Sequence, residues 1–270
     1  MTHGIAPRMA EVREADATGR VAVLYDDIRR VTGVGTVALV YRVLASSPDT
    51  LEAVWDDLAP NLADPVVRGG ALALDAGTGG TVAPLPPELV TVPHAEAAST
   101  LASFARINRL NMVGLTALLD GVEAPPAPGV VATGAPDPIA DGLPMADLGV
   151  LPRTTVALLE EMSAPVAGTE RPLVIPSLFR YFARDERLLR ALWTALRPVV
   201  HDAVFADRVG TIRHDAAVRA AAIPYHVRPL PPGEARTVVE RFLRTIPSMI
   251  VVGGALSAAL GVADDADLDA

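Results

Sequence analysis

Two His-Asp pairs, His201-Asp202 and His214-Asp215, carry the side chains best suited to holding a metal-activated water. The 13 residues that separate them span about 20 Å along a continuous helix. One ion could not reach both pairs without a break in the chain, so they are expected on helix surfaces or at an interface, with no metal. Asp26-Asp27 and Glu160-Glu161 could supply an acid and a base, but their placement reads as a solvated helix face. Arg42 and Arg180 each lie among apolar residues in segments that read as buried helix. A buried guanidinium needs a partner, which is either a group of the protein or the carboxylate of a substrate. Tyr41 and Tyr181 sit beside them as acid or hydrogen-bond donors. Val31-Thr-Gly-Val-Gly-Thr36 lacks the third glycine, the preceding strand and the lysine of phosphate-binding loops, and reads as a turn between helices. No Gly-x-Ser-x-Gly elbow occurs, which removes the α/β-hydrolase reading.

Absences narrow the chemistry further. The 270 residues contain no Cys, and all 23 basic residues are Arg. Disulfides, thiolate nucleophiles, Schiff-base lysines and pyridoxal phosphate anchored on lysine are thereby excluded. A formal charge of −9 argues against a nucleic-acid partner. The N-terminal residues lack the apolar run of a secretory signal. Thr245 to Ala263 carries no charge, but Pro247, Gly253, Gly254 and Gly261 interrupt it. A buried core helix is expected there rather than a membrane span, in a cytoplasmic protein.

These residues must be positioned by helices. Half the chain is hydrophobic, aromatics make up only 4%, and Ala, Leu and Val dominate, as suits closely packed helices. The chain also repeats itself. At a constant offset of 138, Arg42, Ala45, Leu51, Trp55, Leu58 and Pro60 match Arg180, Ala183, Leu189, Trp193, Leu196 and Pro198. Phe104 and Arg106 match Phe242 and Arg244 at the same offset, while Val23 to Ile28 matches Ala157 to Met162 at 134.

The pattern predicts an all-α pseudo-dimer of two homologous helical repeats, 15–122 and 148–262. A Pro/Gly-rich linker at 123–147 would join them across the surface, and an acidic tail at 263–270 would follow. In the first repeat, helices are expected at Arg20–Val31, near Val34–Ala45 and from Pro48 to Leu62. A turn-rich stretch containing Gly69, Gly70 and Gly77 would come next, then two closing helices at His94–Arg106 and Asn108–Leu119. Two such units would bury their apolar faces against each other, and the seam between them is a natural pocket.

Val23-Leu-Tyr-Asp-Asp-Ile-Arg29, Val37-Ala38, Arg42-Val-Leu-Ala45, Leu85-Pro86, Phe104 to Asn108 and Thr116-Ala-Leu118 resemble the first repeat of the group I 2-haloacid dehalogenases. Ser177, Phe179 and Leu189 resemble the second. The resemblance covers most of the chain at low identity. It implies an all-α pseudo-dimer with the active site between its repeats. There an Asp of the second repeat activates the water that displaces halide, and an Asn of the first positions that water, without metal or cofactor. The Asn corresponds to Asn108. The family's Ser-Asp-Phe corresponds to Ser177-Leu178-Phe179, which puts Leu178 where the base should be. Thr36 stands for a family Trp and Leu39 for a Phe.

A leucine accepts no proton, and general-base assistance contributes about 10²–10⁴-fold. Three readings follow. The first is a diverged, cofactor-free enzyme of lyase, isomerase or cyclase type acting on a small-to-medium apolar metabolite. Its pocket would take Asn108 as the catalytic residue, with Thr36, Leu39, Arg42, Ser177, Leu178, Arg180, Tyr41 and Tyr181 around the substrate. The second is a hydrolytic dehalogenase with a relocated base. The third is a non-catalytic binder of small molecules or partners. Homodimerisation is left open.

Overall fold

The structure is a computed structural model that describes residues 9–74, 82–128, 137–140, 142–170, 172 and 174–262. The acidic tail at 263–270 and Gly77 lie outside these residues. Ten α-helices, and no named strand, make up the fold among the described residues. They are α1 Gly19–Thr32, α2 Leu39–Leu44, α3 Pro48–Ala63, α4 Pro65–Leu72 and α5 His94–Asp120, followed by α6 Arg153–Ala167, α7 Ser177–Phe182, α8 Glu186–Val200, α9 Ala203–Ala220 and α10 Glu234–Leu260. The all-α expectation holds.

Local sequence explains where the helices start and stop. Val21, Leu24, Tyr25, Ile28 and Val31 recur on one face of α1 and are buried. Gly33 ends that helix at φ 70, a left-handed conformation that glycine adopts without a Cβ penalty, and its N–H reaches Arg29 O. The first glycine of Val31–Thr36 thus serves the end of a helix. Ser47 caps α3 with Pro48 in its first turn, and Asp185 caps α8 by accepting from the Arg187 and Leu188 amides. His201-Asp202 has the same kind of role: His201 closes α8, and Asp202 accepts from Val204 N at 2.8 Å to start α9.

Helices α1–α5 and α6–α10 form two series that correspond in length at four positions and differ at the fourth and ninth, which have 8 and 18 residues. The first and sixth have 14 and 15 residues, the second and seventh 6 each, the third and eighth 16 and 15, and the fifth and tenth 27 each. Both tryptophans bind back in the same manner. Trp55 donates to Asp27 at 2.8 Å, and Trp193 donates to Glu161 at 2.9 Å. One carboxylate of each acidic pair therefore anchors an indole, which a purely solvated face would not do.

The long helices α5 and α10 pack together over the largest helix–helix interface and form the centre of the molecule. Three sequence expectations change here. The two closing helices of the first unit are one continuous helix, because no proline or cap interrupts Arg106-Ile-Asn108. Gly69 and Gly70 lie inside α4, which Asp64 caps and Pro65 opens. The uncharged stretch from Thr245 falls mainly within α10. That helix is long and apolar enough to cross a membrane, yet 78% of its most apolar window is buried in the fold.

Two tyrosines make stability sensitive to alkali. Burial pushes Tyr25 up from 10.0 to about 12, and it pushes Tyr41 up as well. Tyr25 donates to Val12 O at 2.8 Å, so its protonated form is the one the fold holds. An acid whose folded pKa exceeds its unfolded value stabilises the fold below the unfolded value and loses that contribution as pH rises through the folded one. Thermal melts should therefore show the midpoint falling as pH rises from about 10 towards 12. Tyr25→Phe should lower stability at neutral pH and flatten that fall.

Candidate functional site

A cavity of about 110 Å³ opens where the two series of helices meet. One wall comes from α5 through Thr100, Ser103, Phe104, Ile107, Asn108 and Asn111; the facing wall comes from α10 through Arg241, Phe242, Thr245, Ile246 and Met249. The segment leading into α2 adds Thr36 to Val40 and Arg42, and the segment leading into α7 adds Val174, Pro176, Ser177 and Tyr181. The repeat offset relates these walls: Phe104 faces the same space as Phe242, Thr36 as Val174, and Leu39 as Ser177.

The linker is more than a surface strap. Gly142 and Leu143 line the cavity, and Leu143 N donates to the Thr100 hydroxyl at 2.7 Å. A Cβ at Gly142 would sit 2.8 Å from Thr100 N, so only glycine lets the chain lie this close to α5. Further along, Arg180 donates through Nε and Nη2 to Ala146 O, at 3.1 Å each, while Ala146 N returns a bond to Arg180 O.

Of the residues singled out by sequence, Thr36, Leu39, Arg42, Asn108, Ser177 and Tyr181 line this cavity. Tyr41, Leu178 and Arg180 do not. Tyr41 is fully buried behind it, stacked edge-on against Trp55 with ring centres 5.5 Å apart, and donates to Asn111 Oδ1 at 2.7 Å. It thus orients a lining residue from the far side. Leu178 has no exposed surface and packs in the core.

The arginines are already committed. Arg42 Nη2 lies 2.5 Å from Glu11, with Glu14 at 3.7 Å, and Arg180 reaches the other Glu11 oxygen at 4.0 Å. Glu11 thereby bridges two buried guanidinium groups, one from each series. Neither is a free anchor for a substrate carboxylate, because the protein's own carboxylates neutralise them. Sequence reasoning missed this because Glu11 precedes every helix and gives no periodic signal.

Three donors at the cavity have no partner among the described residues. Asn108 is 8% exposed, and its Nδ2 is buried without an acceptor. Arg42 Nε is equally orphaned. The half-buried Arg241 makes no side-chain hydrogen bond or ion pair. Tyr181 adds a hydroxyl in hydrogen-bonding contact with Thr36; burial pushes its pKa up, so it stays protonated. Among the described lining residues there is no carboxylate and no imidazole. Asp141, next to Gly142 in sequence, lies outside the described residues. Nor does any group of three or more His, Asp or Glu come together as a metal site among the described residues. Arg241 was missed by sequence reading, although it precedes Phe242 in the repeat and so falls opposite Ser103.

No protein-family model matches the chain, and no curated protein matches it in sequence. Solved structures do match it in shape. A D-2-haloacid dehalogenase mutant in complex with D-2-CPA superposes with a TM-score of 0.72 at 18% identity, covering 94% of this chain and 97% of that one. The fold is haloacid dehalogenase-like. A D-2-haloacid dehalogenase with L-LA matches at TM-score 0.68 and 16% identity, and a further mutant of such an enzyme at 0.68 and 15%, each covering 94% of both chains. The dehalogenase-like scaffold thus extends over nearly the whole chain, and its lining here is rich in donors and lacks a described base.

Proposed function

We propose that this protein is a diverged 2-haloacid dehalogenase-like enzyme that binds a small, mostly apolar metabolite between its two repeats. It acts on that metabolite without metal or redox cofactor, by lyase or isomerase chemistry rather than by hydrolytic dehalogenation. Its partner is the small-molecule substrate and not a nucleic acid. The observation that carries this reading is the lining: four donors, from Asn108, Arg42, Arg241 and Tyr181, and no described carboxylate or imidazole.

Water attack at a carbon bearing halide needs a group that takes the proton. Without one the assistance forgone is about 10²–10⁴-fold. Donors without a base suit the opposite task, which is to polarise a substrate oxygen and to hold charge that develops on it. Apolar walls from Phe104, Phe242, Ile246 and Met249 strengthen each such interaction by excluding water. The volume restricts the substrate. About 110 Å³ is well under the 300 Å³ or more typical of drug-sized ligands, which favours a small metabolite over a medium one.

Incubation with each enantiomer of 2-chloropropionate, followed by chloride measurement, tests this directly. No release above the protein-free rate is expected. Chloride release from either enantiomer would overturn the reading and restore a hydrolytic dehalogenase with a relocated base.

A further inference from the structure

The donors differ in kind, and the difference specifies the ligand. Arg241 is a cation with no countercharge among the described residues, half-buried at the cavity wall. Arg42, the other cation of the lining, already has its carboxylates. An unpaired guanidinium facing an apolar space matches a carboxylate, which it can bind through two parallel N–H bonds. Asn108 supplies an independent requirement. Its Nδ2 is a neutral donor, buried and unpartnered, and leaving such a donor unmatched carries a desolvation penalty. An oxygen acceptor on the ligand removes that penalty. A carbon-bound halogen accepts hydrogen bonds poorly, and a hydrocarbon does not accept them at all.

We infer that the cavity binds a short-chain oxo acid, with its carboxylate on Arg241 and its ketone oxygen on Asn108 Nδ2. This rests on the non-hydrolytic reading of the same site and names its substrate class. A ketone oxygen only accepts, and so fits a lining whose buried unpartnered atoms, Asn108 Nδ2 and Arg42 Nε, are donors. A dry cavity of about 150 Å³ holds the six carbons of benzene, so 110 Å³ encloses only about four to five heavy atoms and leaves the carboxylate at the mouth, beside the half-buried Arg241. The aliphatic end lies against Phe104, Phe242 and Ile246.

Calorimetric titration of the purified full chain tests the pairing of groups. The ligands are 3-methyl-2-oxobutanoate and acetoacetate as 2-oxo and 3-oxo acids, 3-methylbutanoate as the plain acid, and 3-methyl-2-oxobutanamide as the uncharged analogue. At least one oxo acid is expected to bind about tenfold or more tightly than the plain acid. Asn108→Leu should abolish that preference while keeping the preference for acid over amide. Arg241→Met should do the reverse. Both variants are checked by circular dichroism and melting, so that misfolding is not mistaken for lost binding. Equal binding of plain and oxo acids by the unmodified protein, or an Arg241→Met variant that still prefers acid to amide, overturns the inference. Chloride release from 2-chloropropionate would instead remove the reading on which it rests.

Discussion

Leu178→Asp is expected to destabilise the protein strongly rather than to give it a base. The sequence places Leu178 where the resemblance calls for an Asp, which invites the reverse substitution as a rescue. The structure argues against rescue: Leu178 has no exposed surface and does not line the cavity, although its neighbour Ser177 does. A carboxylate there would lose its water without gaining a partner, at a cost of about 4–5 kcal/mol. For a chain of this size that lowers the melting midpoint by roughly 10 °C or more. The sign of the pH dependence identifies the cause. Burial raises the folded pKa of such a carboxyl above its unfolded value, so the penalty is largest at neutral pH and shrinks as pH falls. The gap in midpoint between unmodified protein and variant should therefore narrow from pH 8 to pH 4. A variant that melts like the unmodified protein and releases chloride from 2-chloropropionate would show that position 178 can face the reaction after all.

The second large effect concerns Glu11. It lies between Arg42, 4% exposed, and Arg180, 8% exposed, so its removal leaves two buried cations facing one another. Burial pushes the Arg180 pKa down, Glu11 opposes this, and the Arg42 charge adds to it. Arginine stays charged regardless, so the unpaired charges must be tolerated or exposed. Glu11→Ala should cost about 3–5 kcal/mol, the range for breaking a buried pair from one side. Adding Arg180→Met to that variant should recover part of the loss, because it removes one uncompensated charge. If the double variant is less stable than Glu11→Ala alone, the Arg180 bonds to Ala146 O matter more than its charge.

The bridge also has a consequence for the site. Arg42 lines the cavity, and Ala146 belongs to the linker that continues from Gly142 and Leu143. Losing Glu11 should thus weaken ligand binding as well as stability, even though Glu11 does not line the cavity.

The amino-acid sequence by itself determined the all-α class and the places of α1, α2 and α3, because burial repeating every three to four residues is a local property. It also made the repeat visible, since Trp55 and Trp193 fall in register at the 138 offset and an acidic pair precedes each at the 134 offset. It pointed to Asn108, Thr36, Leu39, Ser177 and Tyr181 as neighbours, and these do share one cavity. Charge pairing was not legible. For Arg42 and Arg180 the sequence favoured a partner within the protein over a substrate carboxylate without saying which one, and only the packed structure brings Glu11 between them from outside the helical pattern. The reach of the linker was also hidden, because Gly142 is one glycine among many until Thr100 crowds it. Arg241 is the complementary case, since its importance lies in having no partner among the described residues. A local pattern can show that a group will be buried or exposed, but whether its charge is met depends on which distant segments fold against it. Tertiary structure alone decided that, and with it which cation remains for a ligand.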